Sequence, residues 1–150
     1  MKLSAAAIVM VLAFAAPAAA QSNEKAAQPA EEKAARAPLE HYLQGHATGD
    51  GAHFRAAFHP EAKLFFIREG KVTTRTSEEY IAGARGTPPA DEPQRKRWIE
   101  SVDIAGNAGV AKIILDYPTT RFVDYMSLLK VDGEWKIVNK TFYAEPKASK

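Results

Sequence analysis

Residues 121–142, RFVDYMSLLKVDGEWKIVNKTF, constrain the fold of this chain more than any other segment. They read as two long strands joined by Asp132-Gly133, a pair suited to a two-residue type I′ turn because both central positions need φ > 0. A two-residue turn fixes the register. Val131 faces Glu134, Leu128 faces Ile137 and Asp124 faces Thr141. Successive side chains point to opposite faces. One face therefore carries Phe122, Asp124, Met126 and Leu128 with Trp135, Ile137, Asn139 and Thr141. It is apolar near the turn and gains a carboxylate, an amide and a hydroxyl farther away. Burying such groups unpaired is costly, so they need one another, water or a ligand. The pattern predicts a polar patch in an apolar cavity. The opposite face sets Val123, Tyr125, Ser127 and Leu129 beside Val138, Lys140 and Phe142, a mixture that suits a partner-facing sheet.

Upstream, Pro38 can open a helix running to about residue 47, with Leu39, Tyr42, Leu43 and His46 on its inner face. Asp50 can cap a second helix whose inner face includes Phe54 and Phe58, and His59-Pro60 ends it. Strands over 64–67 and 71–75 flank the turn Arg68-Glu69-Gly70. Ser77 then caps a short helix without a full capping box. Strands over 98–104 and 110–115 surround a Gly106-Asn107 turn, which sets Arg97 opposite Asp116. Helices come early and antiparallel strands late. The predicted class is α+β, a conical, curved antiparallel or mixed sheet wrapped on N-terminal helices, a cystatin-like roll. A bent sheet over helices makes a cone with a mouth, and such pockets usually hold ligands.

Residues 1–20 read as a signal peptide: Lys2 supplies a positive start, 5–16 is an apolar run too short to span a bilayer, and Ala18-Ala19-Ala20 fits a cleavage site. A periplasmic or secreted location follows, without stable membrane insertion after cleavage. Residues 21–37, rich in Ala, Glu, Lys and Gln and without an apolar face, read as a flexible tether able to form transient helix. The folded domain takes 38–146, and 147–150 is a tail. The chain has no cysteine, which excludes disulfides and thiolate chemistry. A net charge of +2 with scattered Lys and Arg gives no reason to expect nucleic acid.

Several stretches together resemble the nuclear transport factor 2-like superfamily, which includes ketosteroid isomerases and SnoaL-like polyketide cyclases, and within it the putative lumazine-binding family. They are YLQGHATGD at 42–50, AFHPEA at 57–62, DI at 103–104 with VAK at 110–112, LDYP at 115–118, FVDYMSLLK at 122–130 and DGEWKIVNK at 132–140. The resemblance spans 38–142 and implies a conical α+β barrel, usually dimeric through its sheet. Position 46 departs from the family's usual look. Histidine stands where an aromatic such as tyrosine is more typical, so a tyrosine donor does not carry over from that turn.

Asp124 is the sharpest chemical candidate. An acid on an inner face could serve as general acid or base, or be a structural acid satisfied by Thr141, Asn139 or a helix N-terminus. Tyr42 and His46, one turn apart, could donate to a developing enolate oxygen; otherwise Tyr42 is a core aromatic and His46 is partly exposed. His59 could reach the cavity floor or cap backbone carbonyls. Glu100 shares a predicted face with Trp98, Val102 and Ile104. Phe58, Phe122, Met126 and Trp135 complete the expected lining. The histidines lack metal-ligand spacing, so neither metal nor cofactor is expected. These readings converge on an exported protein with an apolar cone-shaped pocket for a small apolar or aromatic ligand. The alternatives are an isomerase or cyclase using Asp124, and a homodimeric interaction module built on the sheet.

Overall fold

Helix α1 (Ala18–Thr48) is the first element of the computed structural model, which describes residues 18–148 and side chains from residue 28 onward. Most of the signal segment 1–20 and the last two residues of the tail lie outside the described residues. Ala35, Leu39, Tyr42 and Leu43 form the buried face of α1 at three- and four-residue spacing. The helix runs through residues 21–37, where a tether was expected, and past Pro29 and Pro38, each of which removes one intrahelical donor. Two forces favour the helix here. Ala, Glu, Lys and Gln are good helix formers. The fold also supplies an anchor, because the Glu31 carboxylate accepts from Lys130 Nζ at 2.8 Å and from Trp135 Nε1 at 3.2 Å.

Helix α2 (Gly51–Ala57) is capped by Asp50, whose carboxylate accepts from the Ala52 amide at 2.8 Å. Strand β1 (Phe58–Arg68) follows at once and turns through Glu69-Gly70, both at positive φ, into β2 (Lys71–Thr76). Helix α3 (Ser77–Ala82) is capped by Thr76 rather than Ser77. Thr76 and Glu79 form a complete capping box, which frees Ser77 to be buried and donate to the Pro60 carbonyl at 2.7 Å. A 3₁₀ turn (Glu92–Gln94) leads to β3 (Lys96–Ala105), β4 (Ala108–Asp116), β5 (Thr120–Val131) and β6 (Glu134–Pro146). The β5–β6 turn has Asp132 at φ 51° and Gly133 at 85°, as the dipeptide predicts.

The six strands form one curved, unclosed sheet in the order β2-β1-β6-β5-β4-β3. Only β1 and β6 pair in parallel; the other ladders are antiparallel. The helices cover the concave face, where Leu39, Tyr42, Phe58, Ile113, Leu128 and Ile137 meet. This is the α+β roll expected from the element order.

Two β-bulges decide which side chains enter that face. In β6, Ile137 faces Leu128 but Asn139 faces Ser127, so Val138 is an extra residue. Beyond it the alternation reverses: Asp124 faces Phe142, not Thr141. Lys140 and Phe142 turn inward, while Asn139 and Thr141 turn to the outer face. In β3, Ile99 faces Ile113 and Ser101 faces Lys112, which leaves Glu100 as the extra residue. Lys96, not Arg97, therefore faces Asp116. Arg97 instead grips Glu92 with two hydrogen bonds of 2.7 and 2.6 Å.

Candidate functional site

Tyr42 projects from the buried face of α1 toward the centre of β5 and β6. Its hydroxyl donates to Asp124 Oδ2 at 2.6 Å. Lys140 Nζ closes a triangle, donating to Tyr42 Oη at 2.7 Å and to Asp124 Oδ2 at 3.0 Å. All three residues are nearly sealed: Tyr42 and Asp124 are 0% exposed and Lys140 is 4% exposed. Buried charges are tolerated only when paired and hydrogen-bonded, and this pair meets that condition except at Asp124 Oδ1, which has no partner among the described residues.

A second layer of polar groups lies beside the triangle. The Tyr80 hydroxyl, delivered by α3, sits 3.4 Å from Tyr42 Oη and shares a 2.8 Å hydrogen bond with His46 Nε2. Burial dominates the electrostatics here. Desolvation raises the Tyr42 and Tyr80 hydroxyls well above the ordinary phenol range, with the Asp124 charge adding to both. Desolvation lowers His46 well below the usual imidazole value, assisted by Lys140, Arg97 and Arg95, so the ring is neutral near pH 7. Lys140 is lowered as well, because its desolvation outweighs the attraction of Asp124.

A cavity of about 650 Å³ opens at the end of the sheet remote from the Asp132-Gly133 turn. Aromatic rings from four strands or their loops line it: Phe66, Tyr117, Phe122 and Phe142. Lys140, Tyr80 and His46 reach it from within, and Arg68, Arg75 and Arg95 border it. The Arg95 guanidinium lies 4.2 Å from the Tyr117 ring centroid and also binds Asp91 at 2.8 Å. Lys140 Nζ is 4.6 Å from the Phe142 centroid and 5.4 Å from that of Tyr80, so the ammonium rests among the cavity's own rings. Asp124 and Tyr42 do not border the cavity. They stand behind Lys140.

The structure brings together Tyr42, His46, Phe58, Phe122 and Asp124 from the residues singled out in the sequence. Phe58 is buried, edge-on to both Tyr42 and Tyr80. Met126 and Trp135 are core residues that do not border the cavity; the indole instead serves α1 through Glu31. Four expectations are corrected. Asn139 and Thr141 line a shallow depression on the outer sheet face, because of the Val138 bulge. Glu100 pairs with Lys112 at 2.6 Å in solvent, because the β3 bulge turns it out. The His59 ring accepts from the Glu61 amide at 3.2 Å and stays at the start of β1, away from the cavity. On the sheet face expected from the sequence to meet a partner, Lys140 and Phe142 are replaced by Asn139, Thr141 and the exposed Tyr143. Sequence reading missed Lys140 and Tyr80. The adjacent apolar pair Ile137-Val138, which interrupts the in–out alternation, is the one local sign of the bulge that places Lys140. Among the described residues no group of three His, Cys, Asp or Glu could hold a metal ion, and no helix is long and apolar enough to cross a membrane.

Solved structures share this architecture. A protein of unknown function from Shewanella baltica OS155, described as NTF2-like, has a TM-score of 0.70 at 30% identity, covering 78% of this chain and 95% of that one. Another from Methylobacillus flagellatus KT has a TM-score of 0.63 at 26% identity over 75% of this chain and 90% of its own. A cystatin-like fold protein from Burkholderia xenovorans LB400, at 16% identity, shares the fold with a TM-score of 0.61 over 81% and 97% of the two chains. These neighbours define the class as NTF2-like. Within it, residues 30–143 match the family described as "Putative lumazine-binding", and the chain belongs to that family. Among curated proteins, the aldolase FrzH of Cladobotryum sp. is 20% identical over 108 residues, 71% of this chain and 85% of that protein.

Proposed function

We propose that this chain is an exported small-molecule-binding protein whose cavity receives a ring-containing ligand carrying a polar or anionic group. The observation that carries the reading is the cavity itself: about 650 Å³, walled by aromatic rings, with Lys140, Tyr80 and His46 converging inside it. Ring faces supply area and stacking. The polar trio fixes orientation, and the bordering Arg68 and Arg75 favour negative charge, while Arg95 is already paired with Asp91 at the rim. Proton abstraction by Asp124 fits less well. A general base must come within hydrogen-bond reach of the proton it takes, and Lys140 and Tyr42 stand between Asp124 and the cavity. Export rests on Lys2, the apolar run 5–16 and the small residues 18–20.

Thermal-shift screening of the chain from residue 21, using aromatic acids and their uncharged analogues, tests this. Ligand at a hundredfold excess over Kd stabilises by about 2.7 kcal/mol. The aromatic acids should raise Tm more than their neutral analogues, and Phe142→Ala should abolish the difference. A panel in which no ring compound shifts Tm, with the Phe142→Ala profile matching the native one, would sink the proposal. The exposed outer face, with Tyr125, Leu129, Val110 and Tyr143, supports self-association. Light scattering that finds a monomer at micromolar concentration would remove that part.

A further inference from the structure

We propose that Lys140 is a covalent attachment point, its amine condensing with the aldehyde or ketone of a ring-bearing ligand to give a protonated imine with Asp124 as counter-ion. This rests on reading the cavity as a ligand site and adds the bond formed there. Placement is the first support. Lysine side chains ordinarily carry their charge out to water, whereas the Val138 bulge turns this one inward, where it lines the cavity at 4% exposure. Stability is a weak reason to keep it, because a buried ion pair is often no better than apolar residues of the same size. Desolvation lowers the amine below the ordinary lysine range, and the neutral amine is the nucleophilic form. Two proton-handling oxygens touch the nitrogen, Asp124 Oδ2 at 3.0 Å and Tyr42 Oη at 2.7 Å.

The step balances without an oxidant or reductant. The Lys140 ammonium passes one proton to Asp124 Oδ2. Its lone pair attacks the carbonyl carbon; a C–N bond forms while the C–O π pair moves to oxygen. One proton from nitrogen and the one held by Asp124 then reach that oxygen, with Tyr42 positioned to relay. Water leaves as the C=N bond forms, and nitrogen keeps one proton. Ammonium and carbonyl thus give iminium and one water, and Asp124 returns to a carboxylate facing the new positive charge.

The test uses the chain from residue 21 with 2-naphthaldehyde, sodium cyanoborohydride to trap any imine, and peptide mass mapping. Lys140 should be alkylated at least tenfold faster than the surface lysines, and the preference should vanish in urea. Lys140→Arg, which keeps a cation beside Asp124, should remove the fast phase. Alkylation confined to surface lysines, with Lys140 unmodified in the native protein, overturns the proposal. The alcohol 2-naphthylmethanol separates the two readings. If it raises Tm while the aldehyde leaves Lys140 untouched, the pocket stands and the imine falls. If neither compound shifts Tm or labels Lys140, both fall.

Discussion

Lys140→Met should be among the costliest single changes in this protein, and its cost should be recoverable. The substitution leaves the Asp124 carboxylate fully buried with Tyr42 as its remaining donor. Removing one partner of a buried pair costs about 3–5 kcal/mol, mostly because the other charge stays uncompensated. Asp124→Leu should cost a similar amount by stranding the ammonium. Combining Lys140→Met with Asp124→Leu removes both charges but leaves the Tyr42 hydroxyl with Tyr80 alone, 3.4 Å away, a residual loss of about 1–3 kcal/mol. The triple variant that adds Tyr42→Phe removes that last orphan and should return to within about 1.5 kcal/mol of the native protein. In a domain of this size 1 kcal/mol is worth about 4 °C, so each single variant should melt at least about 12 °C lower. Urea titrations at pH 7.5, followed by tryptophan fluorescence and circular dichroism, measure the cycle. Single variants costing under about 1 kcal/mol, or costs that simply add, would show that the charges are solvated rather than enclosed, and the geometry of the triangle would be refuted.

His46 gives a pH signature. Its folded pKa lies well below 6.5, so below pH 6.5 the unfolded chain binds the proton that the folded chain refuses. Stability should therefore fall as pH drops from 6.5 toward 5, by at most about 1.4 kcal/mol per unit and by less than that because the ring borders the cavity. His46→Gln should flatten the urea midpoint across that window, and an unchanged slope would contradict the assignment. Gly45→Ala should destabilise by about 1–3 kcal/mol in the same assay, since a Cβ there would stand 2.5 Å from the Phe54 ring. Removing residues 21–37 should lower Tm by stripping Ala35 and the Glu31 contacts with Lys130 and Trp135; a truncated chain with native Tm would restore the tether reading.

The parts of the fold written in local chemistry could be read directly. Asp132-Gly133 announces its turn because few dipeptides accept two positive φ angles. The spacing of Leu39, Tyr42, Leu43 and His46 shows which face of α1 is buried, and that placed Tyr42 in the site before any contact was known. The errors over which face a strand residue takes came from single inserted residues. Periodicity fixes a face only while the pleat is unbroken, and Val138 and Glu100 each break it. Asp124 was assigned to the right face but given the wrong neighbours. Lys140 falls on the opposite, partner-facing side of an unbroken strand, and only the bulge brings it inward. Tyr80 was visible only as one apolar position on a short helix; its partners Tyr42 and His46 are 38 and 34 residues away in sequence. The extent of α1 was hidden for the same reason: Glu31 meets its partners 99 and 104 residues later.

The sheet order places β6, the last strand in the chain, between β1 and β5. Without it β1–β2 and β3–β4–β5 are two separate ladders with no hydrogen bonds joining them, and Lys140 is missing from its triangle. A nascent chain thus cannot complete its core until synthesis has reached residues 134–146. Chains ending early in β6 should behave as protease-sensitive fragments, not as weakened versions of the whole. Because the closing β1–β6 contacts bridge residues 76 to 79 positions apart, sheet assembly must also wait on a long loop closure. The same strand that supplies Lys140 to the cavity therefore sets the moment at which the chain can become a folded protein.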